Sequence, residues 1–149
     1  MKFLFLFIIS SSALAIELKT FETDGCTMFV DGTKDRPTLW QHCCLMHDMK
    51  YWYGGTEKAC DKADIDLKNC VENIAGEYWA NLIYTGVRLG HYSPVKHKYN
   101  WSWGWSPVRN KFDPLASDEI VIAKNSLQKL PYDKKYIDQV LKESFSQAD

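Results

Sequence analysis

Two cysteines stand side by side at Cys43-Cys44, a glycine pair follows at Gly54-Gly55, and a further cysteine stands at Cys70. In two antiparallel helices joined by a short turn, facing residues are symmetric about that turn. Cys43 and Cys70 are symmetric about a point just past Gly55, so the sequence proposes a disulfide across a helical hairpin. His47 and Asp64 share almost the same centre, which sets an imidazole against a carboxylate one turn beyond the bridge. Asp61 and Asp66 compete with Asp64 for that place. Cys43, His47 and Tyr51 are four apart and share one helix face. Asp48 is rotated about 100° from His47. Cys44 lies one turn before Asp48, so a bridge from Cys44 to Cys26 would carry Asp24 up to Asp48. Two hard oxygen ligands in one place make a calcium-type site.

A disulfide framework presupposes an oxidising compartment. The first fifteen residues, MKFLFLFIISSSALA, have a positive end at Lys2, an apolar stretch and a small-x-small terminus at Ala13-Leu14-Ala15. They read as a secretory signal peptide, leaving 16–149 as a single domain, either secreted or periplasmic. The apolar run is well short of the roughly 20 residues a spanning helix needs. Five cysteines leave one thiol unpaired. A formal net charge of −1 makes a nucleic-acid partner unexpected. The cluster His42, Cys43, Cys44 and His47 also suits zinc by ligand type, but adjacent cysteines in an exported chain tend to oxidise.

The expected fold class is mainly α: two antiparallel disulfide-linked helices, a loop-rich N-terminal segment and extra C-terminal helices. Residues 24–37 hold two Asp-Gly pairs and a proline and read as loop. Thr38 is a plausible N-cap for a helix running to about Tyr53. A second helix starts near Glu57 and runs as far as Arg88, with Ile74, Tyr78 and Leu82, and Trp79, Ile83 and Val87, on its buried face. Gly76 weakens it as one unbroken rod. Residues 90–114 are irregular and aromatic. A helix then starts at Ser117-Asp118-Glu119, and a last amphipathic one carries Tyr136, Val140, Leu141 and Phe145. Trp101, Trp103 and Trp105 alternate, so an extended segment would set all three on one side. With Lys96, Lys98, Arg109 and Lys111 beside them they read either as a membrane-surface patch or as a packing lid over the hairpin, the plainer reading. His91 and His97 have no partner legible in the sequence.

Cys43-Cys44-x-x-His47-Asp48-x-x-Tyr51 resembles the active-site helix of secreted phospholipases A2, and Asp64-x-x-Leu67-x-x-Cys70 resembles the second helix of that family. The resemblance covers 24–72, a catalytic core, and leaves 73–149 as an aromatic-rich and helical extension. It implies a calcium-dependent hydrolase that cleaves the sn-2 ester of glycerophospholipids, working as a monomer at a phospholipid membrane surface. His47 would be the general base, Asp64 would hold it in place, and Tyr51 would hydrogen-bond the aspartate. Asp48 would hold Ca2+ together with Asp24 and the Gly25 carbonyl, because Asp24-Gly25-Cys26-Thr27 resembles the bacterial and fungal loop rather than the glycine-rich vertebrate one. Asp31 and Gly32 are a second candidate pair. The pairings implied are Cys43–Cys70 and Cys26–Cys44, with Cys60 unpaired. A further interhelix bridge usual in the family is missing at Lys50 and Ala63. The alternatives are a non-catalytic phospholipase-like scaffold binding lipid or protein, and a disulfide-stapled structural protein of an envelope.

Overall fold

The structure, a computed structural model, describes residues 15–93 and 98–146, together with the backbone alone at Tyr92. The signal-peptide reading, apart from Ala15, and Lys96 and His97 lie outside the described residues. Five helices and one two-stranded sheet make up the regular structure described: β1 (Glu17–Leu18), α1 (Gln41–Tyr53), α2 (Glu57–Ala75), α3 (Glu77–Tyr92), β2 (Trp105–Ser106), α4 (Ser117–Gln128) and α5 (Lys134–Phe145). The expectation of a mainly helical chain with extra C-terminal helices holds, and both expected disulfides are formed. Cys43–Cys70 has a Cα–Cα distance of 5.8 Å and Cys26–Cys44 one of 5.1 Å.

Three chain-order regularities describe how the helices lie. The α1–α2 hairpin turns at Gly54-Gly55, and Thr56 caps α2 by accepting from the Ala59 N–H at 3.2 Å. The expected rod from Glu57 to Arg88 is broken at Gly76, whose φ of 85° favours a residue without a Cβ. Chain direction reverses there. Arg88 reaches back to Asp64, and Lys68 lies over Tyr84, both symmetric about Gly76, and Arg88 also pairs with Asp61, one turn before Asp64. So α2 lies between α1 and α3. Of the expected buried face, Ile83 is buried with Ile74, Trp79 and Val87 packed against the same cluster, whereas Tyr78 and Leu82 are exposed, because the change of direction at Gly76 rotates α3 relative to one continuous rod. The last helix keeps a nearly constant offset from α1 instead. His42 stacks on Tyr136, Lys50 meets Glu143, and Tyr53 packs on Phe145, which makes α5 parallel to α1.

The first helix begins at Gln41, not after a Thr38 cap. Trp40 is held out of the helix by its own anchors, its backbone N–H donating to Asp31 O at 2.9 Å and its indole to Val30 O at 2.7 Å. Thr38 is spent in the turn before it. Once started, α1 is buried on most of its surface, from Cys43 to Tyr53. One apolar cluster joins Met46, Met49 and Trp52 to Phe21, Trp105, Leu127, Ile137 and Val140; another joins Cys43 and Cys44 to Trp40, Leu67, Val71, Ala80 and Ile83.

The tryptophan segment is not an extended stripe. Residues 101–104 form a turn with Ser102 at φ 68°, and only Trp105 enters a strand. It closes the C-terminal end of α1, whose last carbonyls have no partner inside the helix. Lys50 O accepts from the Gly54 N–H, Tyr51 O from the Ser102 N–H, Trp52 O from the Gly104 N–H, and Tyr53 O from the Trp105 indole. The Trp101 indole donates to Gly55 O at 2.8 Å. Trp101 and Trp105 are buried, so a patch of three indoles on a membrane surface is excluded and the lid reading holds.

Candidate active site

Side chains from three helices meet at one carboxylate. His47 Nε2 lies 2.9 Å from Asp64 Oδ1, the Tyr51 hydroxyl donates to the same oxygen at 2.8 Å, and Arg88 donates to Oδ2 at 3.0 Å. Asp64 is fully buried. Burial opposes its charge, but His47, Tyr51 and Arg88 outweigh it and hold the carboxyl below the usual carboxylate range. The rivals are placed elsewhere: Asp61 pairs with Arg88, and Asp66 pairs with Lys50 and Lys62.

With Nε2 committed to Asp64, the other ring nitrogen of His47 is turned toward Asp48, with Nδ1 3.9 Å from Asp48 Oδ1. The His47 and Tyr51 rings are 4.3 Å apart, which fixes the imidazole plane. Burial works against the charged ring, yet Asp48 and Asp64 outweigh it and raise the His47 pKa above its ordinary value.

The loop reaches α1 through Cys26–Cys44, as the pairing implies. Gly25 has φ 79°, and a Cβ there would come within 2.4 Å of Asp31 Oδ1, which itself accepts from the Cys26 N–H at 2.7 Å. Asp31 is thus the brace of the loop. The residue hydrogen-bonded to Asp48 is Thr23, whose hydroxyl donates to Oδ2 at 2.6 Å and accepts from the Gly25 N–H at 3.1 Å. Asp24 accepts from the Thr27 hydroxyl at 2.7 Å. Burial pushes the Asp48 carboxyl up, and the charge of Asp24 adds to this, while His47 and Thr23 pull it down. Asp24 is near enough to Asp48 to act on it by charge repulsion, and carboxylate oxygens are the donor type that suits a hard cation such as Ca2+.

A cavity of about 580 Å3 opens over this group. His47, Asp48 and Tyr51 line it, the Gly25–Phe29 loop forms one wall, and Leu67, Ile83, Gly86, Val87 and Gly90 form an apolar wall. A Cβ at Gly86 or Gly90 would meet nothing within 4 Å. Met28, 92% exposed, and Leu89, 70% exposed, stand at its rim.

The free thiol is Cys60, fully buried behind the pair, with its pKa pushed up to about 12 chiefly by burial. Its Sγ is 3.6 Å from the Tyr51 hydroxyl and 3.3 Å from His91 Nδ1. His91 therefore has a partner the sequence did not reveal. Arg88, Thr23 and His91 were all missed as members of the site; symmetry about Gly76 would have found Arg88 and His91. Cys43 and Cys44 are consumed in disulfides, which removes zinc ligation by the His42–His47 cluster while the bridges stand.

Comparison with protein-family models, with curated proteins and with solved structures finds no match to the chain.

Proposed function

We propose that this chain is an exported, calcium-dependent hydrolase of the phospholipase A2 type, cleaving the sn-2 ester of glycerophospholipids at a membrane surface. The observation that carries the reading is the buried 2.9 Å contact between His47 Nε2 and Asp64, with Nδ1 3.9 Å from Asp48 and both His47 and Asp48 lining the cavity. A neutral imidazole that donates Nε2–H to a carboxylate keeps its lone pair on Nδ1. There it takes a proton from a water held in the cavity, and the water oxygen attacks the ester carbonyl carbon. Asp64 stabilises the imidazolium that forms, and Tyr51 and Arg88 keep Asp64 ionised and fixed. On collapse the Nδ1 proton passes to the leaving alcohol oxygen, releasing a fatty acid and a lysophospholipid. Ca2+, held by Asp48, Asp24 and the Gly25 carbonyl, would supply the positive charge that polarises the ester carbonyl. The apolar wall of Leu67, Ile83 and Val87 accommodates an acyl chain while the exposed rim at Met28 and Leu89 meets the lipid surface.

The Thr23–Asp48 hydrogen bond supports a second reading, in which Asp48 is satisfied by the loop and the cavity binds lipid without turnover. Hydrolysis of mixed phospholipid vesicles, measured with Ca2+ and with excess chelator, separates the two. Release of sn-2 fatty acid that stops on chelation and is absent in His47→Gln supports the enzyme. Equal release under both conditions, or in the variant, rejects it, and vesicle binding without release selects the scaffold.

A further inference from the structure

Behind the carboxylate that orients His47, three ligand-type side chains from two helices converge: Cys60 and Asp64 on α2 and His91 near the end of α3. Cys60 Sγ, an Asp64 oxygen and a His91 ring nitrogen lie within 4.8 Å of one another. We infer that Cys60, Asp64 and His91 form a binding site for a borderline-soft divalent cation of the zinc class, distinct from the oxygen ligands proposed at Asp24 and Asp48, and that filling it restrains the His47–Asp64 pair. The regulatory half of this inference rests on the proposed function; the binding half does not.

Ligand chemistry separates the two sites. Thiolate and imidazole select zinc-like ions, whereas carboxylate and carbonyl oxygen select calcium. The spacing also fits. With a zinc–sulfur distance of about 2.3 Å and a zinc–nitrogen distance of about 2.0 Å, tetrahedral ligands sit about 3.5 Å apart. The observed Sγ to Nδ1 separation is 3.3 Å, with Nδ1 the nitrogen turned to the thiol. Asp64 can approach as the third ligand, and His91 lines the cavity, so a water can complete the tetrahedron. On binding, the sulfur–metal bond replaces the sulfur–hydrogen bond and one proton leaves to solvent. Thiolate and carboxylate then balance the cation, while Arg88 and Lys111 remain the flanking positive groups. A carboxylate sharing its charge with a metal holds the imidazolium of His47 less well, so turnover falls.

The test uses the full chain with its disulfides intact, stripped of metal and supplied with excess Ca2+. Cobalt(II) is the probe, because thiolate ligation gives a near-ultraviolet charge-transfer band and tetrahedral geometry gives intense visible bands. One equivalent should produce both, and zinc should displace it. The charge-transfer band should vanish in Cys60→Ala, and affinity should fall about tenfold or more in His91→Ala, both variants keeping the helical circular dichroism of the parent. No thiolate band at stoichiometric cobalt, or a band that survives Cys60→Ala, overturns the site. Zinc should also slow vesicle hydrolysis by the parent more than by Cys60→Ala, each against its own rate in Ca2+ without zinc. A hydrolase indifferent to zinc refutes the regulatory role and leaves the function standing. A chain that binds cobalt through thiolate but hydrolyses nothing upholds the metal site and refutes the proposed function.

Discussion

His47 and Asp48 are neighbours in sequence with separate tasks, and each can be tested by a near-isosteric change. His47→Gln keeps an N–H that can still donate to Asp64, so the buried carboxylate stays satisfied and the fold should persist. Removing the base should lower vesicle hydrolysis by about 10²–10⁴-fold, with the thermal midpoint nearly unchanged. Full activity in that variant would remove His47 from the mechanism. Asp48→Asn keeps the shape and an acceptor for Thr23 but removes the charge. Saturating Ca2+ should raise the melting temperature of the parent, since a ligand that binds only the folded state at a hundredfold excess over Kd contributes about 2.7 kcal/mol. The asparagine variant should lose that rise. An equal calcium shift in both would place the ion elsewhere.

The hairpin was legible from Cys43, His47, Gly54-Gly55, Asp64 and Cys70 because one centre of symmetry relates residues close in the chain. Long-range partners had no such ruler. The match of α5 to α1 spans more than ninety residues, and Thr23 approaches Asp48 through a loop with no periodicity. The break at Gly76 was half visible: the apolar period runs through it, so pattern alone continued the helix, while the backbone turned where a Cβ is absent. The tryptophans misled for a related reason, since alternation signals a strand only if the backbone is extended, and here the segment caps a helix end. Gly54 is where that cap is most exposed to error. It sits at φ 71°, and a Cβ would fall 1.7 Å from Ser102 Oγ. Gly54→Ala should therefore lose about 2 kcal/mol or more, read in urea denaturation, with a rise in tryptophan exposure as residues 101–105 lift away. The α1–α5 contact has its own signature. His42 stacks on Tyr136 at 5.0 Å, and burial together with Lys135 holds its pKa below the ordinary value. The unfolded chain then takes up this proton at higher pH than the folded one, so stability is lost as pH falls through the ordinary histidine range near about 6.5. His42→Gln should flatten the stability profile between about pH 7 and about pH 5.

Across the whole molecule, both disulfides lie within residues 26–70, and the C-terminal helices are held without a covalent link. The hairpin is pinned twice, and on α1 His47 lies between the two pinned positions. At one end is Cys43–Cys70. Nearer the turn, where the resemblance implies a missing bridge, the buried Lys50 donates to Asp66 and to Glu143, each at 2.6 Å, tying α1 to α2 and to α5 at once. A bridge closing a loop of this length contributes about 3–4 kcal/mol. Removing the lysine leaves two carboxylates that are partly exposed and, for Asp66, still paired with Lys62, so Lys50→Met should destabilise by about 1–3 kcal/mol. Either loss alone falls within the roughly 5–15 kcal/mol of an ordinary domain, and the remaining pin should still hold the imidazole against the carboxylate. Cys43→Ala with Cys70→Ala, and Lys50→Met separately, should each keep measurable calcium-dependent hydrolysis at 25 °C. Combining them should abolish it and destabilise the fold by more than the two losses added, because the pins share the helix pair they fix. Strict additivity in both denaturation and turnover would mean that the helices are aligned by their apolar packing alone.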